Sequence, residues 1–178
     1  TAELLPVGWN LPEPPPRLCL SPTLRPDTVV AWHDELLGSV EIPRLPGVVY
    51  SEADLKLLPA DSTLRAPLTL SGRIQAQGEV DRYAVELLAG KEVEITIEAR
   101  SLGSPLDPVL RVENAEGKIL LEQDDERDGR DVRQRFKPPA DGTYTVVVSD
   151  LIGQGGPRFV YRLRVMEGRP SFRVELRE

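Results

Sequence analysis

From Leu68 to Val165 the sequence predicts an all-β fold, an antiparallel β-sandwich. Three observations predict it. Apolar and polar residues alternate with period two in short stretches, which is the mark of a half-buried strand. Turn-forming words such as Ala89-Gly90-Lys91 and Pro139-Ala140-Asp141-Gly142 separate those stretches. No run of comparable length carries a helical period. A jelly roll is the alternative all-β arrangement.

The strands follow in order. Leu68, Leu70 and Ile74 alternate imperfectly with polar neighbours, whereas Tyr83, Val85 and Leu87 alternate cleanly with Arg82, Ala84 and Glu86. Val93, Ile95 and Ile97 stand between Glu92, Glu94, Thr96 and Glu98, giving a third apolar face. Leu110 and Val112 run into Asn114-Ala115-Glu116-Gly117, and Ile119 and Leu121 return, as a hairpin with Gly at a position suited to positive φ. Val132–Phe136, Thr143–Ser149 and Phe159–Val165 bring the set to seven or eight strands. Gly153-Gln154-Gly155-Gly156 reads as a hairpin turn, since the Lys-Ser/Thr of a phosphate loop does not follow it. Ser171–Leu176 alternates again and is either a last strand or the first of a following domain.

Proline sets the first third apart. Ten of the 17 prolines fall within residues 1–66, and proline disfavours helices and central strands. Residues 1–66 are therefore expected to be a Pro-rich linker or the tail of a preceding domain, packed on the sandwich. Pro12–Pro16 reads as an extended polyproline stretch. Short strands are expected at Thr28–Trp32 and Val48–Tyr50, and a helical turn at His33–Leu37. Residues 67–168 form the sandwich, and 169–178 an exit strand or linker. A start at Thr1 suggests a processed chain or a piece of a longer one.

Composition narrows the partners. A formal net charge of −7 argues against nucleic acid and against an anionic membrane surface, both of which are bound through basic patches. No apolar run approaches the length of a membrane span. Cys19 is the single cysteine, so it has no intrachain disulfide partner, and no Cys/His set for zinc exists around it. His33 is the single histidine and lies in the Pro-rich part without a Gly-x-Ser-x-Gly elbow, which argues against a hydrolytic triad.

The words Gly78-Glu79-Val80-Asp81-Arg82-Tyr83, Leu106-Asp107-Pro108 with Leu110, Gly117-Lys118, Asp124-Asp125, Asp141-Gly142-Thr143-Tyr144 and Tyr161-Arg162-Leu163 occur in one order. Together with Gly72-Arg73-Ile74 they resemble the bacterial pre-peptidase C-terminal domain family, which includes the collagen-binding domains of clostridial collagenases. The likeness spans about residues 66–166. It implies a non-catalytic β-sandwich in secreted, periplasmic or cell-envelope proteins, accessory to other domains. Some members bind calcium and carry a Glu-x-Glu-Asn-Asn-Asp segment upstream of the first strand. The equivalent here is Ser51-Glu52-Ala53-Asp54, which keeps two carboxylates and lacks the Asn pair; Glu79 stands where the family has Asp.

Two carboxylate sets are candidate calcium ligands. One is Asp124, Asp125, Glu126, Asp128 and Asp131, the densest acidic cluster. Calcium takes six to eight hard oxygens, which clustered carboxylates on a Gly-containing loop can supply. The set starts like an EF-hand loop, but Arg135 stands where the bidentate Glu is needed, and no helices flank it. The alternative is a solvated hairpin loop partly neutralised by Arg127 and Arg130. The second set is Glu52, Asp54, Glu79 and Asp81, with Asp81 alternatively a turn cap accepting main-chain N–H bonds. Asp107 reads as a turn residue. Trp9, Trp32, Tyr50 and Tyr83 either form an aromatic platform or fill the core.

The expected function is a non-catalytic accessory or binding module of a larger exported bacterial protein, stabilised by calcium and binding an extracellular polymer or a partner protein. Beyond calcium no cofactor is expected. The alternative is a structural subunit of a multi-chain assembly, docking through the Pro-rich arm.

Overall fold

The computed structural model describes residues 47–59, 62–124 and 131–168, together with the backbone of four strands before them. The chain divides into two compact units, Thr1–Leu45 and Pro46–Glu178.

In the first unit, β1 (Glu3–Leu4), β2 (Leu18–Pro22), β3 (Thr28–Trp32) and β4 (Ser39–Pro43) make an antiparallel sheet in sequential order. The expected strand at Thr28–Trp32 is present, flanked by neighbours that the proline count had argued against. Pro22 and Pro43 each occupy the last position of a strand, where a missing donor disturbs the ladder least. Among residues 1–45 the described residues are these four strands, which form one sheet. The expected polyproline stretch and the turn at His33–Leu37 lie outside the described residues, as do the Cys19 and His33 side chains.

The second unit begins some twenty residues before the expected sandwich boundary. It contains β5 (Val48–Ser51), the single-turn helix α1 (Glu52–Leu55), β6 (Leu64–Arg65), β7 (Leu68–Arg73), β8 (Val80–Leu87) and β9 (Val93–Glu98). After a 3-10 turn at Arg100–Leu102 come β10 (Pro108–Glu113), β11 (Ile119–Gln123), β12 (Val132–Phe136), β13 (Gly142–Asp150) and β14 (Val160–Glu167). They form two five-stranded sheets, β12-β9-β14-β7-β5 and β11-β10-β13-β8-β6. The sandwich is all-β, as the alternation requires. Its sheets are mixed, because β5 pairs with β7 and β6 with β8 in parallel. β5 and β6, two of the four edge strands, come from the stretch expected to be linker: they are short, and Pro46, Pro59 and Pro67 between and around them mask the signal.

Of the consecutive pairs from β6 to β14, only β10 and β11 form a hairpin; every other connection crosses from one sheet to the other. The Gly153–Gly156 stretch is accordingly a crossover from β13 to β14, in different sheets, and not a hairpin turn. The β10–β11 turn is built as expected: Asn114 Oδ1 accepts from the N–H groups of Glu116 and Lys118, and Gly117 has φ 78°. The inward residues of both sheets, among them Leu68, Leu70, Ile74, Val85, Ile95, Ile97, Leu110, Val146, Val148 and Leu163, are buried in one cluster. Each stabilises the fold by roughly 1.5–3 kcal/mol through burial.

Candidate functional site

Two of the words that mark this sequence, Gly78-Glu79-Val80-Asp81-Arg82-Tyr83 and Tyr161-Arg162-Leu163, meet at one end of the sandwich, whereas Asp141-Gly142-Thr143-Tyr144 lies at the other, beside Leu87 and Ala89. β7 ends at Arg73 and β8 starts at Val80, with a tight turn between them. Gly78 takes φ 75° there, a conformation that side chains resist. Glu79 Oε2 accepts the main-chain N–H groups of Gln75 at 2.5 Å and Ala76 at 2.7 Å. The turn cap is therefore Glu79, not Asp81.

Asp81 faces inward across the sandwich. Its Oδ2 accepts the Tyr161 hydroxyl at 2.6 Å, and that hydroxyl also meets the hydroxyl of Tyr83. Tyr161 sits on β14 in one sheet, and Asp81 and Tyr83 on β8 in the other, so the chain of three bolts the sheets together. Both rings are buried, which pushes both phenols well above their ordinary range. A side chain at Gly72 would collide with the Tyr161 ring, so the glycine makes room for the bolt. Tyr83 is thus core and not part of an aromatic platform; Tyr50 is partly buried against the same core. The Trp9 and Trp32 side chains lie outside the described residues.

Outside this bolt lies a cleft of about 370 Å³ lined by Glu52, Lys56, Gln75, Glu79, Asp81 and Arg82. Burial, then the nearby charges of Glu52 and Glu79, push the Asp81 carboxyl up to about 6, against the lowering effect of the Tyr161 hydroxyl. Arg82 borders the cleft but pairs with Glu113. Glu52 reaches from α1 to accept the Arg73 N–H at 2.6 Å. Asp54 closes a capping box with Ser51, whose hydrogen bonds hold its carboxyl below the usual range. The structure thus gathers Glu52, Glu79 and Asp81 along one cleft, while Asp54 turns to its own helix cap. A larger cleft of about 550 Å³ lies elsewhere, lined by Arg65, Glu86, Leu88, Lys91 and Glu167 and bordering Gly168, where the described chain ends.

Of the other acidic set, Asp125, Glu126 and Asp128 lie outside the described residues. Asp124 is exposed. Asp131 Oδ1 accepts the N–H groups of Ala99 at 2.7 Å and Arg100 at 2.9 Å, capping the 3-10 turn. Asp107 pairs with Arg100 at 2.9 Å, and its N–H bonds Asp150 Oδ1 at 3.0 Å, consistent with a turn role. Asp150 was not singled out from sequence, yet its Oδ2 also organises the crossover through Ile152 and Gln154 N–H. Its place after an apolar run and before a Gly-rich stretch is the signal for that role.

Calcium is tested against these donors. Among the described residues no group of three or more Asp, Glu, His or Cys side chains is placed to hold a metal ion. Glu52, Glu79 and Asp81 each already have one carboxylate oxygen in a short hydrogen bond within the protein. These residues do not fit the six to eight oxygens that calcium takes.

An all-β sandwich crossed by the chain at nearly every turn, and bolted by tyrosine hydroxyls, defines a small scaffold domain. Residues 79–150 match the model of the bacterial pre-peptidase C-terminal domain family. Among solved structures the chain is similar to the pre-peptidase C-terminal domain of a collagenase from Bacillus anthracis, with 15% identity and a TM-score of 0.42. That likeness covers 61% of this chain and 98% of the other. No curated protein matches. The family is one of non-catalytic accessory domains. No helix among the described residues is long and apolar enough to cross a membrane.

Proposed function

We propose that this chain is an accessory module of a larger exported bacterial protein, binding an extracellular polymer or a partner protein and leaving catalysis to other domains. The observation that carries the proposal is the family match over residues 79–150. The roles of the matched residues agree with it: Glu79, Asp81, Asp107, Asp141, Tyr144 and Asp150 all hold turns, strands or the two sheets together. In this proposal calcium belongs to the Asp124–Asp131 loop, where the sequence concentrates acidic residues.

Co-sedimentation of the purified chain with insoluble collagen, chitin and cellulose tests the polymer reading. Retention on one of them above the level of a β-sandwich control is expected; recovery of all the protein in the supernatant would remove polymer binding. Calcium titration of thermal unfolding against a chelator tests the loop, and an unchanged midpoint would remove the ion.

A further inference from the structure

Where β5 ends, at Ser51 opposite Ser71, β7 continues for two more residues without a strand beside it on that edge. An unpaired strand edge leaves main-chain donors that need an acceptor. The N–H of Arg73 receives one from Glu52 Oε1 at 2.6 Å, at the first position of α1. The side chain thus takes over where the neighbouring strand stops. The turn that follows presents two consecutive N–H groups, of Gln75 and Ala76, and Glu79 Oε2 accepts both. Successive N–H groups of this kind form a concavity suited to an anion. Bonds from N–H to an ionised carboxylate are among the stronger hydrogen bonds, and a donor robbed of its acceptor costs more than the bond itself contributes.

We infer that Glu52 and Glu79 are main-chain latches and not metal ligands, so that residues 48–59 are held to the end of β7 without a divalent cation. This departs from what the resemblance implies for the segment upstream of the first strand. The departure has a chemical basis in the sequence: Ser51-Glu52-Ala53-Asp54 has carboxylates without the Asn pair, and its second carboxylate closes the cap of α1. A neutral amide can replace a latch, because its carbonyl still accepts an N–H, but it replaces a bidentate or charge-neutralising calcium ligand poorly.

The test uses the whole chain and three forms of it: unaltered, E52A, and E52Q combined with E79Q. Amide hydrogen exchange is read at Arg73, Gln75 and Ala76, and thermal midpoints are read in chelator and in millimolar calcium chloride. In E52A the Arg73 amide is expected to exchange about tenfold faster, the loss of one typical hydrogen bond. In the amide double variant all three positions stay protected, and the midpoint responds to calcium as in the unaltered chain. Any contribution from the Asp124–Asp131 loop is common to both and cancels in that comparison. A calcium-induced rise in midpoint that vanishes in the double variant would overturn the inference. So would unchanged Arg73 exchange in E52A. If the double variant does not fold, calcium is titrated into the unaltered chain with the three amide resonances as the readout. Resonances that hold still support the latch; resonances that move with calcium overturn it.

Discussion

Two tyrosines lock this sandwich, and they do so at opposite ranges along the chain. Tyr144 donates to the carbonyl of Ala140 at 2.8 Å, four residues back, and its ring meets Phe136 edge-to-face with centroids 5.6 Å apart. This is a tyrosine corner, made by one short segment. Tyr161 instead reaches Tyr83 and Asp81, which precede it by 78 and 80 residues and lie in the other sheet. The corner shapes the entry to β13, whereas the bolt fixes how the two sheets face each other. A local lock can form before the domain is assembled; the bolt exists only once both sheets are in place.

The largest expected effect comes from the glycine that accommodates the bolt. Gly72→Ala puts a methyl group into the Tyr161 ring, in an interior where neither β7 nor β14 can move far. Overpacking of this kind costs about 3 kcal/mol at its upper end. Urea unfolding should show a clear fall in midpoint. A midpoint equal to that of the unaltered protein would mean that the ring is free to swing away, and the contrast between rigid bolt and local corner would lose its basis.

Removing one hydroxyl from each lock compares them directly. Tyr161→Phe leaves the buried Tyr83 hydroxyl and the half-buried Asp81 carboxyl without this partner, and should cost about 2 kcal/mol. Tyr144→Phe removes the bonds of one hydroxyl to the carbonyl and the N–H of Ala140, an exposed loop residue whose main chain water can then reach, and should cost about 1 kcal/mol. The ordering matters more than either value. If Tyr144→Phe proved the more damaging, the corner and not the bolt would be the principal lock.

The same contrast explains what could be read in advance. Strands β7 to β14 follow from the alternation of Leu68, Val85, Ile95, Val112 and their neighbours, because a half-buried strand writes its period into the sequence. Asp141-Gly142-Thr143-Tyr144 is equally local: Asp141 accepts the N–H of Ala89 at 2.6 Å, and Tyr144 folds back within the word. Pairing between strands is not local. Nothing near Tyr161 announces Asp81, and the crossings between sheets leave no periodic trace, so Gly153–Gly156 passes for a hairpin. Strands β5 and β6 are too short to show alternation and lie among prolines. Asp81 and Glu79 share a word, and only the side each faces decides that Glu79 caps the turn while Asp81 meets the tyrosine.

The smallest effect has the most specific signature, because it depends on pH. The Asp81 carboxyl is raised to about 6 in the folded domain, from about 4 in an unfolded chain, mainly by burial and then by Glu52 and Glu79. A raised carboxyl binds its proton more tightly when folded. Its contribution is therefore fully present below about pH 4 and is lost as pH rises through about 6. Asp81→Asn keeps an acceptor for the Tyr161 hydroxyl but cannot ionise. Relative to this variant, the unaltered protein should lose stability between about pH 4 and about pH 6, by about 1 kcal/mol once solvent screening of a half-exposed group is allowed for. Below that window the difference between the two should stop changing, and above it the variant should gain by a constant amount. The check is the difference between the two urea midpoints across the range, which removes every other titrating group common to both. A flat difference would mean that Asp81 ionises without penalty, and that the carboxylate end of the bolt is as open to water as the corner.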